Sequence, residues 1–91
     1  MNLDKLTILI PTFNRHQCLK RLLNFLYLNN INAQIIILDS SSNIFNNKDI
    51  NYFSKHLLVK YKHFPESISL DNKINHGLKD VQTPYSVLCA D

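Results

Sequence analysis

Leu6–Asp39 reads LTILIPTFNRHQCLKRLLNFLYLNNINAQIIILD, and two different periodicities alternate within it. Leu6–Ile10 is a continuous apolar run with β-branched residues, ended by Pro11, as expected of a strand buried on both faces. The spacing then changes. Cys18, Leu19, Leu22, Leu23 and Leu26 recur at helical intervals, while Lys20, Arg21 and Asn24 occupy the other face. Asn14 is expected to cap this helix, and Asn29-Asn30 to end it in place of the more usual glycine. Ile35–Leu38 is a second buried strand, closing at Asp39.

The same alternation continues outward. Ser40-Ser41-Ser42-Asn43 is turn material, and Asn46–Ser54 has weak helical character. In Leu57–Phe64, Leu58, Lys60 and Lys62 alternate with Val59, Tyr61 and His63, which predicts a more exposed strand near a sheet edge, stopped by Pro65. Ser67 or Ser69 can cap a third helix whose expected apolar face is Leu70, Ile74, Leu78 and Val81. After Pro84, Tyr85–Ala90 is a fourth apolar strand ending at Asp91. The order β-α-β-α-β-α-β with short connections predicts an α/β fold: a Rossmann-like parallel sheet, right-handed crossovers and flanking helices. Strands are expected near 6–11, 33–39, 58–64 and 85–90, and helices near 15–29, 47–55 and 69–81. Without repeat, linker or low-complexity tract, residues 1–91 form a single domain.

Composition narrows the function. The 91 residues carry a formal charge of +3, with 45% hydrophobic residues, two cysteines and one glycine. A chain of this size buries about 60–65% of its unfolded surface, enough for a modest core. No apolar run approaches the roughly 20 residues needed to cross a bilayer; the longest, Leu19–Leu28, is broken by Lys20, Arg21 and Asn24. Met1–Ile10 contains Asp4 and Lys5 and leads to no small-residue cleavage site, unlike a secretion signal. A cytoplasmic protein without a transmembrane segment is expected. Lys and Arg are scattered, with no basic run and no interleaved aromatics, so nucleic acid is not an expected partner. Cys18 and Cys89 lack the clustered spacing of a zinc site and read as buried thiols in a reducing compartment. The dispersed His16, His56, His63 and His76 read as surface or half-buried side chains. Gly77 stands alone, which excludes both a Walker loop and a GxGxxG dinucleotide turn, each needing glycines close together where backbone meets phosphate.

Open parallel sheets bind ligands beyond the carboxyl ends of their strands. The first strand delivers Pro11-Thr12-Phe13-Asn14-Arg15 there, the second Asp39-Ser40-Ser41, and the fourth Asp91. Such residues also serve as ordinary caps and turns. LTILIPTFNR (Leu6–Arg15) resembles the opening strand and loop of family 2 glycosyltransferases, the inverting GT-A type, often written V-x-I-P-x-Y-N-R. IIILDSSS (Ile35–Ser42) sits where that family carries V-V-D-D-G-S, and INHGL (Ile74–Leu78) resembles its R-N-x-G-L helix. TPYSVLCAD (Thr83–Asp91) is similar to the strand leading into its D-x-D. The four blocks occur in the family's order and cover nearly the whole chain.

With the alternation of elements, this resemblance implies sheet order 3-2-1-4, the N-terminal half of a GT-A fold. It also implies a nucleotide-sugar donor as partner, with a glycan, lipid or protein acceptor. Pro11 and Thr12 would lie against base or ribose, beside Asn14, and Arg15 would open the first helix near that pocket. Asp39 would accept a hydrogen bond from the base. Asp91 would be the first carboxylate of the D-x-D, near the ribose and a Mg²⁺ or Mn²⁺ that clamps the diphosphate. Three positions depart from the family pattern: Ser40 replaces its second aspartate, Ser41 its glycine, and Ile74 the arginine before Asn75. Lys73 is expected to supply the phosphate-facing charge instead, with Gly77 and Leu78 serving helix packing.

The resemblance further implies that the chain is the nucleotide-binding portion of a longer glycosyltransferase, soluble or peripheral to the cytoplasmic face of the membrane. The second metal carboxylate and the general base would lie in the remainder, leaving this portion inactive by itself and prone to self-association through strand 85–90. The competing expectation is a non-catalytic α/β binding or interaction domain whose rim residues are only caps and turns.

Overall fold

The computed structural model describes residues 3–89. They form β1 (Leu6–Thr12), α1 (His16–Leu28), β2 (Gln34–Asp39), α2 (Asn47–Ser54), β3 (Leu58–His63), α3 (Leu70–Lys79) and β4 (Tyr85–Leu88). The four strands make one sheet in the order β3-β2-β1-β4, with every pairing parallel. This is the Rossmann-like α/β arrangement that the alternation predicts. No helix among the described residues is long and apolar enough to cross a membrane.

Strand periodicity divides the interior into two layers. Ile8 and Ile10 of β1 and Ile35 and Ile37 of β2 join Leu19 and Leu23 of α1 and Phe53 of α2 in one buried cluster. The alternate residues Leu9, Ile36 and Leu38 form a second cluster on the opposite face. Right-handed crossovers explain the split: the chain steps from β1 to β2 to β3 in one direction, then back past β1 to β4, so α3 lies on the face opposite α1 and α2. β3 is an edge strand whose Val59 and Tyr61 pack toward the larger cluster. On its other face Lys60 and Lys62 pair with Asp80, and the Lys62 ammonium holds the Asp80 carboxyl below its ordinary range.

α1 ends as its asparagines suggest. Asn30 adopts a left-handed φ of 54°, and the Asn30 and Ile31 amides donate to the carbonyls of Tyr27 and Leu26, completing a Schellman motif without glycine. Its start differs from expectation. Arg15 occupies the cap position without a side-chain capping bond, and Asn14, held at a φ of 53°, is turned toward the next loop instead. Asn46 caps α2 through Lys48 N, and Ser69 caps α3 through Asn72 N.

The α3 packing face corrects the sequence reading in part: of the expected face, Val81 packs against the Leu9, Ile36 and Leu38 cluster and Ile74 is half-buried, but the two leucines are not. Leu70 is 57% and Leu78 45% exposed, whereas Lys73 and Gly77 are the buried positions. Gly77 allows this: a Cβ there would lie 2.6 Å from Leu38 Cδ1 and 3.2 Å from Leu9 Cδ2. The helix therefore approaches the sheet along its lysine–glycine line, and the leucine stripe rotates outward. β4 is the second edge, with Tyr85, Val87 and Leu88 exposed. Residue 90 of the expected fourth strand, and Asp91, lie outside the described residues. Cys18 and Cys89 form no disulfide with each other and are half-buried rather than buried.

Candidate nucleotide-binding rim

The carboxyl ends of β1 and β2 stop in register, Thr12 opposite Asp39 and Asp39 opposite His63. Period-two geometry then sends successive β2 side chains to opposite faces. Asp39 continues the Ile35–Ile37 row toward α1, and Ser40 continues the Ile36–Leu38 row toward α3. Their partners follow from that. Asp39 meets His16 and Tyr61, and Ser40 meets Lys73.

Asp39 is fully buried (0% exposed) yet fully bonded. Its Oδ1 accepts from Ser41 N at 2.9 Å and from Ser41 Oγ at 2.5 Å. Its Oδ2 accepts from Tyr61 Oη at 2.5 Å and from His16 Nε2 at 3.1 Å. Burial alone would push the carboxyl up, but the bonds from Ser41, Tyr61 and His16 outweigh it and hold Asp39 below its ordinary value. The Tyr61 hydroxyl moves the other way, raised by burial and by its bond to the carboxylate.

The two loops above this carboxylate are tied to each other. Asn14 N donates to Ser41 Oγ at 2.6 Å, Ser42 N donates to Asn14 Oδ1 at 2.9 Å, and Ser40 N donates to the Thr12 carbonyl at 3.1 Å. His63 Nε2 donates to the Ser41 carbonyl at 2.8 Å. The left-handed turn at Asn14 is what aims its backbone N–H and its side chain at the serine loop, a geometry asparagine tolerates better than most residues. On the other face, Lys73 is 5% exposed, and its Nζ donates to the Thr12 carbonyl at 3.1 Å and to Ser40 Oγ at 2.8 Å.

Two clefts open on either side of the β1–α1 loop. One, of about 460 Å³, is polar and lined by Asn14, Arg15, His16, Gln17, Cys18, Ser41 and Asn43. The other, of about 440 Å³, is lined by Pro11, Thr12, Phe13, Arg15, Leu70, Lys73, Leu88 and Cys89. The second lies between β1 and β4, where the strand order reverses and helices leave for opposite faces, the place where open α/β sheets hold ligands. Arg15 borders both. No family model and no curated protein matches this chain. The functional reading of the rim therefore rests on its own geometry and chemistry.

Of the residues singled out from sequence, Pro11, Thr12, Asn14, Arg15, Asp39 and Lys73 converge on this rim. Asp91 is outside the described residues. Sequence reading missed His16, Tyr61 and Ser41 as partners of Asp39. Tyr61 carried a signal, since it occupies an inward position of the alternating third strand. His16 carried none beyond following Arg15. Among the described residues no three His, Cys, Asp or Glu side chains gather as a metal site requires.

Proposed function

We propose that this rim binds the nucleotide part of a nucleotide-sugar donor, and that the chain is the donor-binding portion of a glycosyltransferase acting on a glycan, lipid or protein acceptor. The observation that supports this best is the pair of clefts sharing Arg15 at the β1–β4 switch point. The polar cleft above Asp39 suits a uracil-type base, whose imide N–H is complementary to a carboxylate. The cleft toward β4 combines apolar walls from Pro11, Phe13 and Leu88 with the Arg15 and Lys73 cations, which suits ribose and diphosphate. Lys73 acts there through its field, because its ammonium already donates to Thr12 and Ser40. Arg15 is exposed, and exchanging its weak contact with Cys18 Sγ would allow a direct, forked phosphate contact.

Mg²⁺ or Mn²⁺ supplies leaving-group stabilisation in transfers that use a metal-clamped diphosphate. Asp91 is the residue proposed to hold it, and the described residues add no cluster of their own. The steps assigned to the described residues are base reading by Asp39 and diphosphate attraction by Arg15 and Lys73.

Calorimetric titration with uridine diphosphate and with uridine tests this reading. The diphosphate should bind at least about tenfold more tightly, and Arg15→Ala should remove most of that difference, as expected for a charge-assisted contact. Equal affinity for the two ligands would contradict it. One observation favours a second reading, a non-catalytic α/β binding or interaction domain: all four bonds to Asp39 come from the protein itself. Under that reading neither ligand binds.

A further inference from the structure

A ligand donor that reads Asp39 meets a carboxylate with no exposed surface and both oxygens in use. One present donor has to leave. The four are not equally able to do so. Ser41 N and Oγ belong to the β2 loop itself and are held further by Asn14 and His63. Tyr61 stands on β3 and also accepts from Phe45 N at 3.0 Å, so its withdrawal would break a second bond. His16 makes the longest of the four contacts, 3.1 Å, from a side chain that is 29% exposed and borders the polar cleft. It sits on the first turn of α1, and rotation of its side chain disturbs no backbone bond. Its ring also packs T-shaped against Phe45, 5.2 Å between centroids.

We propose that His16 is the gate of the base site: its imidazole covers Asp39 Oδ2 in the empty protein and swings out when a ligand N–H takes its place. This rests on the reading of the rim as a nucleotide site and adds its regulation by pH. Among the described residues, the charged and titratable groups nearest His16 come from three elements and the α1 cap. β2 contributes Asp39; β3 contributes Tyr61, on the same carboxylate oxygen, and His63, on the Ser41 carbonyl; α1 and its cap contribute Arg15, Cys18 and, one turn on, Lys20, whose charge is paired with Asp49 of α2. The serine loop, Ser40–Asn46, contains no titratable side chain. Asp39 is thus the anion that His16 faces. A protonated imidazole binds it as an ion pair, a neutral one only as a hydrogen-bond donor. The gate consequently tightens as pH falls.

The test is calorimetry of the whole chain with uridine diphosphate between pH 5.5 and 8.5, for the wild type, His16→Gln and His16→Ala. Glutamine keeps a neutral donor and alanine removes the cover. Wild-type affinity should fall about tenfold more than that of either variant between pH 7.5 and 5.5, the loss expected when an imidazolium must be taken from a carboxylate. The ionisation of the ligand phosphate cancels in this comparison. His16→Ala should bind at least as tightly as the wild type at pH 5.5. Identical pH profiles in all three proteins, with the ligand bound, would overturn the gate and leave the nucleotide site standing. No binding by any of the three at any pH would overturn both. A measurement on the wild type alone guards against variants that fail to fold. The His16 ring ¹⁵N resonances should move on saturation with uridine diphosphate at fixed pH as the imidazole leaves Asp39, and unchanged resonances with the ligand bound contradict the gate.

Discussion

On the β2 side of the β1 carboxyl end, Asn14, Ser41, Asp39, Tyr61 and His16 bond to one another around one buried carboxylate. On the β4 side, Pro11, Phe13, Leu70 and Leu88 line an open cleft in which the polar groups are two cations and the end of a strand. The same loop serves both, so the contrast comes from what stands opposite. β2 ends in a carboxylate and three serines, and β4 ends in apolar residues. The polar side is bonded internally, so any ligand entering it would have to exchange one hydrogen bond for another. The apolar side has little internal bonding to lose, and a ligand there would gain chiefly from covering exposed surface.

Substitutions on the two sides should therefore separate stability from binding. The largest effect is expected at Asp39. Asp39→Ala leaves the Ser41, Tyr61 and His16 donors unmatched in a buried site and should cost about 3 kcal/mol in urea unfolding. Asp39→Asn sharpens this through pH. Because the folded carboxyl titrates below its ordinary value of 3.8, its stabilisation is present above that pH and is lost as pH falls through the lower folded value. The wild type should thus lose stability below about pH 4 more steeply than Asp39→Asn. Parallel acid profiles would mean that the bonds around Asp39 contribute little.

Gly77→Val probes the α3 contact that closes the apolar side from below. Its methyls would enter the space of Leu38 and Leu9, at a cost of about 2 kcal/mol from overpacking. Tyr61→Phe removes one donor to Asp39 and the acceptor of Phe45 N, for about 1–2 kcal/mol. Smallest is Leu70→Ser on the open side. That residue is exposed, and its replacement should change stability by less than about 0.5 kcal/mol. A large loss there would show that the β4-side cleft is packed rather than open.

The fold was legible because each element has a local signature: the LTILI and IIIL runs, the Cys18–Leu26 spacing, the alternation of 58–63, and proline or asparagine at the boundaries. The parallel pairing followed from their order. The rim was legible as a place, since strand ends dictate it, but not as a network. Asp39 meets His16 and Tyr61 only because period two sends it to the α1 face and the register puts Tyr61 beside Ile37, and one chain's periodicity does not display such cross-element contacts. The α3 stripe misled for a related reason. Leucines at helical spacing predict a buried face, yet the single glycine on the neighbouring face allowed a closer approach to the sheet than leucine would. Asn14 looked like a cap because its residue type favours caps, and a left-handed turn is the other conformation that type tolerates.

The central claim, that the carboxyl rim is a nucleotide site, is tested most directly by amide resonances during titration with uridine diphosphate. The account predicts saturable shifts confined to residues 12–18, 39–43 and the first half of α3, with the opposite end of the sheet around Tyr27, Asn30 and His56 unmoved. Shifts centred on that opposite end, or none at millimolar ligand, would contradict it.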